Sequence, residues 1–306
     1  MFRPLGFAAP LVLALSIPTA ASAGTVTVSP DTNARLAVFT AKPNEHNVLS
    51  FTTGGPEHLD IADEGAPLTG QPLVGEVGCA VTGAASLLCQ PATNLEASLG
   101  DEDDRARTRS FFLGRALVWG GGGDDVIALD SHALFTRAYG GPGDDDLTAG
   151  GEGGQLVDGG RGHDRLHVGG FAGSSSGYGG PGDDHMSFFI AMPTTGSGEL
   201  EGGGGADLIT LDAPGGHASA RGDGGADHIE VAADAEFSSY ALAGGDGPDV
   251  LLTGPGADTA DGGAGRDTID TLGGGADVVT CGAGIDSVRA DATDTVAADC
   301  ERVTIG

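Results

Sequence analysis

Between residues 120 and 289, apolar side chains return at one fixed place in a recurring nine-residue phrase, with polar residues and glycine around them. The phrase reads G-G-x-G-x-D-x-U-x, where U is a large apolar residue. Clean copies are GGGGDDVIA (120–128), GGPGDDDLT (140–148), GGRGHDRLH (159–167), GGPGDDHMS (179–187), GGGGADLIT (202–210), GGDGPDVLL (244–252) and GGAGRDTID (262–270). Looser copies are GDGGADHIE (222–230), TGPGADTAD (253–261), LGGGADVVT (272–280) and CGAGIDSVR (281–289), and LGDEDDRAR (99–107) reads as a decayed first copy. The eighth positions are Ile127, Leu147, Leu166, Met186, Ile209, Ile229, Leu251, Ala260, Ile269, Val279 and Val288. In a chain that is 39% hydrophobic, eleven apolar hits in eleven arise by chance about three times in 100,000. That phase sets aside a Gly-rich, acidic, disordered linker, which composition alone allows.

The last three residues of each phrase alternate, so they predict a short strand with the eighth side chain facing inward. The stretches ALFTRAY (133–139), GQLVD (154–158), GELE (198–201), ASAR (218–221) and SYALA (239–243) read as the opposite strand of each coil. The sixth-position aspartates mostly recur every 19 to 23 residues, which places one phrase per coil along one edge of an all-β parallel solenoid. From 244 to 289 the copies run nearly back to back, so both edges are expected to carry turns there.

The polar positions supply the chemistry. Glycines at the second and fourth places, Gly121, Gly123, Gly141, Gly143, Gly160, Gly162, Gly180, Gly182, Gly203, Gly205, Gly245, Gly247, Gly263 and Gly265, allow positive φ, so the chain turns sharply with its carbonyl oxygens to one side. The sixth-position aspartates are Asp125, Asp145, Asp164, Asp184, Asp207, Asp227, Asp249, Asp258, Asp267, Asp277 and Asp286. Carboxylates and carbonyls together offer the six to eight oxygens that calcium takes at ~2.3–2.6 Å. The phrase resembles the nonapeptide of the hemolysin-type, or RTX, calcium-binding repeat family. That resemblance implies a β-roll with calcium between turns one coil apart. For this sequence it pairs Asp125 with Asp145, and so on along the edge to Asp267 with Asp286, and also Asp258 with Asp277, implying about nine ions.

The first 23 residues read as an export signal. Arg3 precedes the apolar run LVLAL (11–15), and Ala21-Ser22-Ala23 forms an A-x-A cleavage site before Gly24. The mature chain is therefore expected outside the cell, with no membrane insertion. Many RTX proteins carry no such leader, so their toxin and protease activities are not carried over. Four cysteines in an exported chain imply two disulfides. Coils stacked at ~4.8 Å put residues 79–89 far from 281–300, so Cys79 is expected to pair with Cys89 and Cys281 with Cys300. Fourteen basic residues stand against 44 acidic ones, a net charge of −30. That field disfavours nucleic acid and anionic membranes as partners, and nine calcium ions would remove more than half of it.

Residues 24–98 lack the phrase. TVTV (25–28), RLAVF (35–39), NVLSF (47–51) and HLDIA (58–62) read as short strands, either non-calcium coils capping the stack or a small separate β domain; the cap is favoured, because a solenoid must hide its apolar cross-section. Residues 290–306 read as a second cap, closed by Cys300. That ending resembles secreted RTX-repeat proteins of actinobacteria. HDRLH (163–167) has Asp where the H-E-x-x-H zinc motif needs Glu and lies in a turn and strand rather than a helix. GSSSG (173–177) matches the nucleophile elbow around Ser175 but lacks its strand-to-helix context, so it reads as a Ser-Gly loop. DEDDRA (101–106) lacks the glycine and the downstream glutamate of an EF-hand. The expected function is a secreted, non-catalytic calcium-binding solenoid. The alternative is a secreted hydrolase or adhesin whose working part is 24–98.

Overall fold

The computed structural model describes residues 24–28, 36–55, 58–64, 69–70, 78–83, 86–90, 94–108, 114–130, 133–170, 173–190, 196–214, 216–232 and 239–306. The leader and its cleavage site lie outside these residues. The chain is all-β. Its strands alternate between two sheets of fifteen strands each among the described residues, and each strand from Asn94 to Ile305 pairs in parallel with the one a coil away. One sheet runs through Arg115–Gly121, Phe135–Pro142, Gly154–Arg161, Ser174–Pro181, Ser197–Gly204, His217–Gly224 and Ser239–Asp246. The other runs through Val126–Asp130, Asp146–Gly150, Arg165–Gly170, His185–Ile190, Leu208–Asp212, His228–Val231 and Val250–Leu252.

Alternation along each strand builds the core. Every eighth-position side chain from Ile127 to Val288 is buried. In the second sheet Ile127, Leu147, Leu166, Met186, Ile209, Ile229, Leu251, Ile269 and Val288 stack in direct register. Facing them, the first sheet stacks Val118, Ala138, Val157, Gly177, Leu200, Ala220, Leu242, Ala260 and Val279. Ala260 and Val279 thus sit on the opposite side from the other eighth positions, which is how the crowded copies at 253–261 and 272–280 come to face the second edge. Size is complementary between layers: a side chain on Gly198 would enter the Phe188 ring, and one on Gly177 would meet Leu200, Val168 and Met186.

At the N-terminal end both sheets continue. Leu36–Thr40 pairs in parallel with Asn94–Gly100, and Val48–Gly55 with Arg105–Thr108. Beyond them the direction changes. Thr25–Val28 runs antiparallel to Leu36–Thr40, and His58–Asp63, Ser86–Gln90 and Gly78–Gly83 add an antiparallel meander. Cys79 and Cys89 are register partners in that meander; their side chains lie outside what is described. Cys281 and Cys300 form a disulfide across a Cα–Cα distance of 5.2 Å.

One expectation needs correcting. The stretch around Ser175 is a strand, Ser174–Pro181, rather than a loop. Serine and glycine have low strand propensity, but neighbouring coils supply hydrogen-bonding partners on both sides, and that pairing overrides local preference.

Candidate metal centre

Each repeat turns at glycine. All the second- and fourth-position glycines named above have positive φ except Gly265, with values such as 113° at Gly121 and 116° at Gly123. At the second position of the loose copy 222–230 stands Asp223, with φ of 69°, one of two non-glycine residues with positive φ among those described.

The turn folds the sixth-position aspartate back under itself. Ten aspartates on the long edge are buried in a single row: Asp104, Asp125, Asp145, Asp164, Asp184, Asp207, Asp227, Asp249, Asp267 and Asp286. The backbone N–H of each donates to Oδ1 of the next one along, from Asp104 to Asp125 and through to Asp267 and Asp286, at 2.8–2.9 Å. Asp286 N–H donates to Glu301 Oε2 at 3.0 Å and ends the row. A short second row lies on the other edge, where Tyr240 N–H donates to Asp258, Asp258 N–H to Asp277 and Asp277 N–H to Asp294.

The other carboxylate oxygen is the chemically informative one. Oδ2 of every aspartate in the long row, and of Asp258 and Asp277, is buried without a hydrogen-bond partner. A Cβ built on the first-position glycine would collide with it, so glycine there makes room for the carboxylate. On Gly120, Gly140, Gly159, Gly179, Gly202, Gly222, Gly244 and Gly262, such a Cβ would stand within 3.0 Å of that repeat's own Asp Oδ2 and of the first-residue carbonyl oxygen of the following coil. On the second edge Asp277 Oδ2 faces the carbonyl oxygens of Gly254 and Gly256 across Gly274. The carboxylate thus packs against the glycine backbone with a carbonyl oxygen of the following coil close by, and a buried oxygen left without a hydrogen bond calls for a cation or a proton.

Electrostatics agree. Burial pushes the carboxyls of Asp125, Asp164 and Asp207 up to about 7, and those of Asp104, Asp145, Asp249 and Asp258 to about 6. Asp184, Asp227, Asp267 and Asp277 are also raised, and burial leads in each case. The N–H donated from the preceding rung pulls down in most, and neighbouring carboxylates push up. Among the described residues no three His, Cys, Asp or Glu side chains converge. The oxygens on hand are carboxylate and main-chain carbonyl, an all-oxygen donor set that suits calcium and does not suit soft metals.

The structure links the same aspartates, coil to coil, that the sequence pairs. The link, however, is an N–H···Oδ1 bond, which leaves each carboxylate one oxygen for a ligand. The first-position glycines were missed from sequence, although they make room for the buried carboxylate; their signal is the first G of the phrase. Asp104, at the sixth place of the decayed copy, was also missed.

The catalytic candidates do not assemble. Ser175 is buried, and its Oγ donates to Gln155 Oε1. His163 lies on an exposed fifth-position row, where its Nδ1 accepts the Asp183 N–H at 2.9 Å. His167 points outward from its strand to Ser187 Oγ, 2.7 Å away.

A parallel β-solenoid with a buried, unneutralised carboxylate row defines a class of cation-binding repeat protein. Comparison finds such repeats in two stretches: the family model described as RTX calcium-binding nonapeptide repeat, four copies, matches residues 117–131 and 243–279. The chain thus carries RTX-type calcium-binding repeats. No curated protein and no solved structure matches it.

Proposed function

We propose that this protein is an exported, non-catalytic calcium-binding repeat protein whose solenoid is folded and held by extracellular calcium. The row of buried Oδ2 atoms without hydrogen-bond partners carries the reading. Calcium supplies positive charge to carboxylate oxygens that the chain leaves unbonded. Asp125 to Asp286 on the long edge, with Asp258 and Asp277 on the short edge, provide the carboxylate oxygens. Export rests on the leader at residues 1–23, and the continuation of both sheets through Leu36–Thr40 and Val48–Gly55 supports a capping role for 24–98.

Binding only to the folded form stabilises by RT ln(1 + [L]/Kd), about 1.4 kcal/mol per site at ten times Kd, so several sites produce a cooperative transition. Midpoints are expected at ~0.1–1 mM, the range of extracellular modules. Circular dichroism and limited proteolysis of the mature chain, with calcium and with chelator, test this. The expected result is a β signal and protease resistance only with calcium; equal signals in the two conditions would defeat the reading.

A further inference from the structure

The outer face of the first sheet holds a cavity that the carboxylate rows do not use. It has a volume of about 350 Å³, and its polar lining is Ser197, His217, Ser219, Ser239 and Thr259. Register sets these side chains in two outward rows. Ser197, His217 and Ser239 stand side by side at the start of their strands, and two residues further along Ser219 stands in line with Ala241 and Thr259, so the cavity crosses four coils. Small residues make the hollow. Gly198 and the inward-turned Ala218 present backbone to it, and Ala241 is exposed but short.

The lining chooses among ligand classes. No lysine, arginine, aspartate or glutamate is among the described residues that line the cavity, so a charged ligand finds no counter-charge there. Glu199, in register with Ser219, turns anions away. A peptide strand finds no edge to pair with either, because Ser197–Gly204, His217–Gly224, Ser239–Asp246 and Thr259–Gly265 are each hydrogen-bonded to a strand on both sides. What the cavity does offer is hydroxyl and imidazole, groups that both donate and accept. His217 Nδ1 lies 2.5 Å from Ser239 Oγ. That bond fixes the ring through one nitrogen and leaves Nε2 for a ligand, accepting when Nδ1 donates and donating when Nδ1 accepts. A sugar is complementary on both counts: its hydroxyls serve either way, and the C–H side of its ring suits the apolar floor at Ala241. The volume falls at the small end of ligand sites, ~300–1,000 Å³.

We propose that this cavity binds an uncharged saccharide unit of a neutral polysaccharide. Ser197, Ser219, Ser239, Thr259 and His217 exchange hydrogen bonds with its hydroxyls, and Ala241 carries the apolar side of its ring. The site adjoins the short aspartate row without using it: Ala257 and Thr259 line the cavity, while Asp258 between them is buried in its row. The inference therefore rests on this face of the sheet and not on what the carboxylates hold.

Affinity gel electrophoresis of the full chain in calcium tests it, with dextran, mannan and hydroxyethylcellulose as neutral probes and heparin as a polyanion. At least one neutral polymer is expected to retard the chain, and heparin is not. Ala241→Leu, which fills the floor, is expected to abolish the retardation, and His217→Ala to weaken it several-fold. Both positions are exposed, so both variants are expected to unfold at the wild-type temperature. His167→Ala breaks a like pair with Ser187 on the other sheet and is expected to be retarded as the wild type is. No retardation by any of the three neutral polymers, retardation unchanged in a folded Ala241→Leu or in His217→Ala, or equal retardation by heparin overturns the inference. Each of these results leaves the calcium reading standing, which the comparison of calcium with chelator decides separately.

Discussion

At the residue scale, the division of labour within one carboxylate explains most of the site. Oδ1 is committed to a backbone N–H, Oδ2 is left bare, and burial raises the carboxyl above its ordinary range. The sign of the pH dependence follows. In the metal-free chain the ladder aspartates from Asp104 to Asp267 bind protons more tightly when folded than when unfolded, so their penalty is complete above about pH 7 and fades as pH falls toward 4. Chelated protein is therefore expected to gain β signal between pH 7.5 and about 5, above the isoelectric point of 4.2, and no gain on acidification would contradict the burial of these groups. Asp223 offers a second handle. It holds a positive φ in a place where the other turns use glycine, and the left-handed region costs a non-glycine residue ~1–2 kcal/mol. Asp223→Gly is expected to raise the unfolding free energy in calcium by about 1 kcal/mol, read as a higher denaturation midpoint; a lower midpoint would show that the Asp223 side chain contributes something the turn needs.

At the scale of the coil, each turn depends on its neighbours because the rung bond spans two coils. Asp207→Ala strips the acceptor from the buried Asp184 N–H, a loss of ~1–3 kcal/mol, and also removes a calcium ligand between two repeat turns. Asp286→Ala strips the acceptor from Asp267 N–H but lies at the end of the repeats, where only one implied ion adjoins it. Both variants are expected to lose thermal stability, and Asp207→Ala is expected to raise the calcium midpoint more. Equal shifts in calcium titrations of the two variants would argue against aspartates shared between coils. The exposed fifth-position row runs in the opposite sense, with Asp144 N–H donating to Asp124 and Asp183 N–H to His163. Water can replace those acceptors, so His163→Ala is expected to be mild.

At the scale of the whole molecule, two electrostatic problems coexist and respond to different agents. The net charge of −30 is spread over the surface and is screened by salt, with a Debye length of ~3 Å at about 1 M. The buried Oδ2 rows are shielded from water and need a ligand rather than an ionic atmosphere. Sodium chloride at about 1 M is therefore expected to leave the chelated chain protease-sensitive, while calcium near 1 mM protects it. Protection by salt alone, measured by the rate of proteolysis, would mean that surface repulsion is the main obstacle to folding.

The phase of eleven apolar eighth positions and the alternation around them made the parallel solenoid legible in the sequence, because a core-facing strand must repeat its inward side chain once per coil. The spacing of the aspartates likewise told which rungs are neighbours, and the crowding after 244 told that turns would face both edges. Tertiary stacking decided the rest. It made a strand of the stretch around Ser175, since hydrogen bonds from adjacent coils outweigh the propensity of serine and glycine. It enlisted Asp104 and Glu301 from segments that have lost the phrase, because a rung is defined by its place in the stack and not by the residues beside it in sequence. It also gave the first glycine its meaning: only when the turn folds the sixth-position aspartate back against the strand does the absence of one Cβ become the room its carboxylate needs.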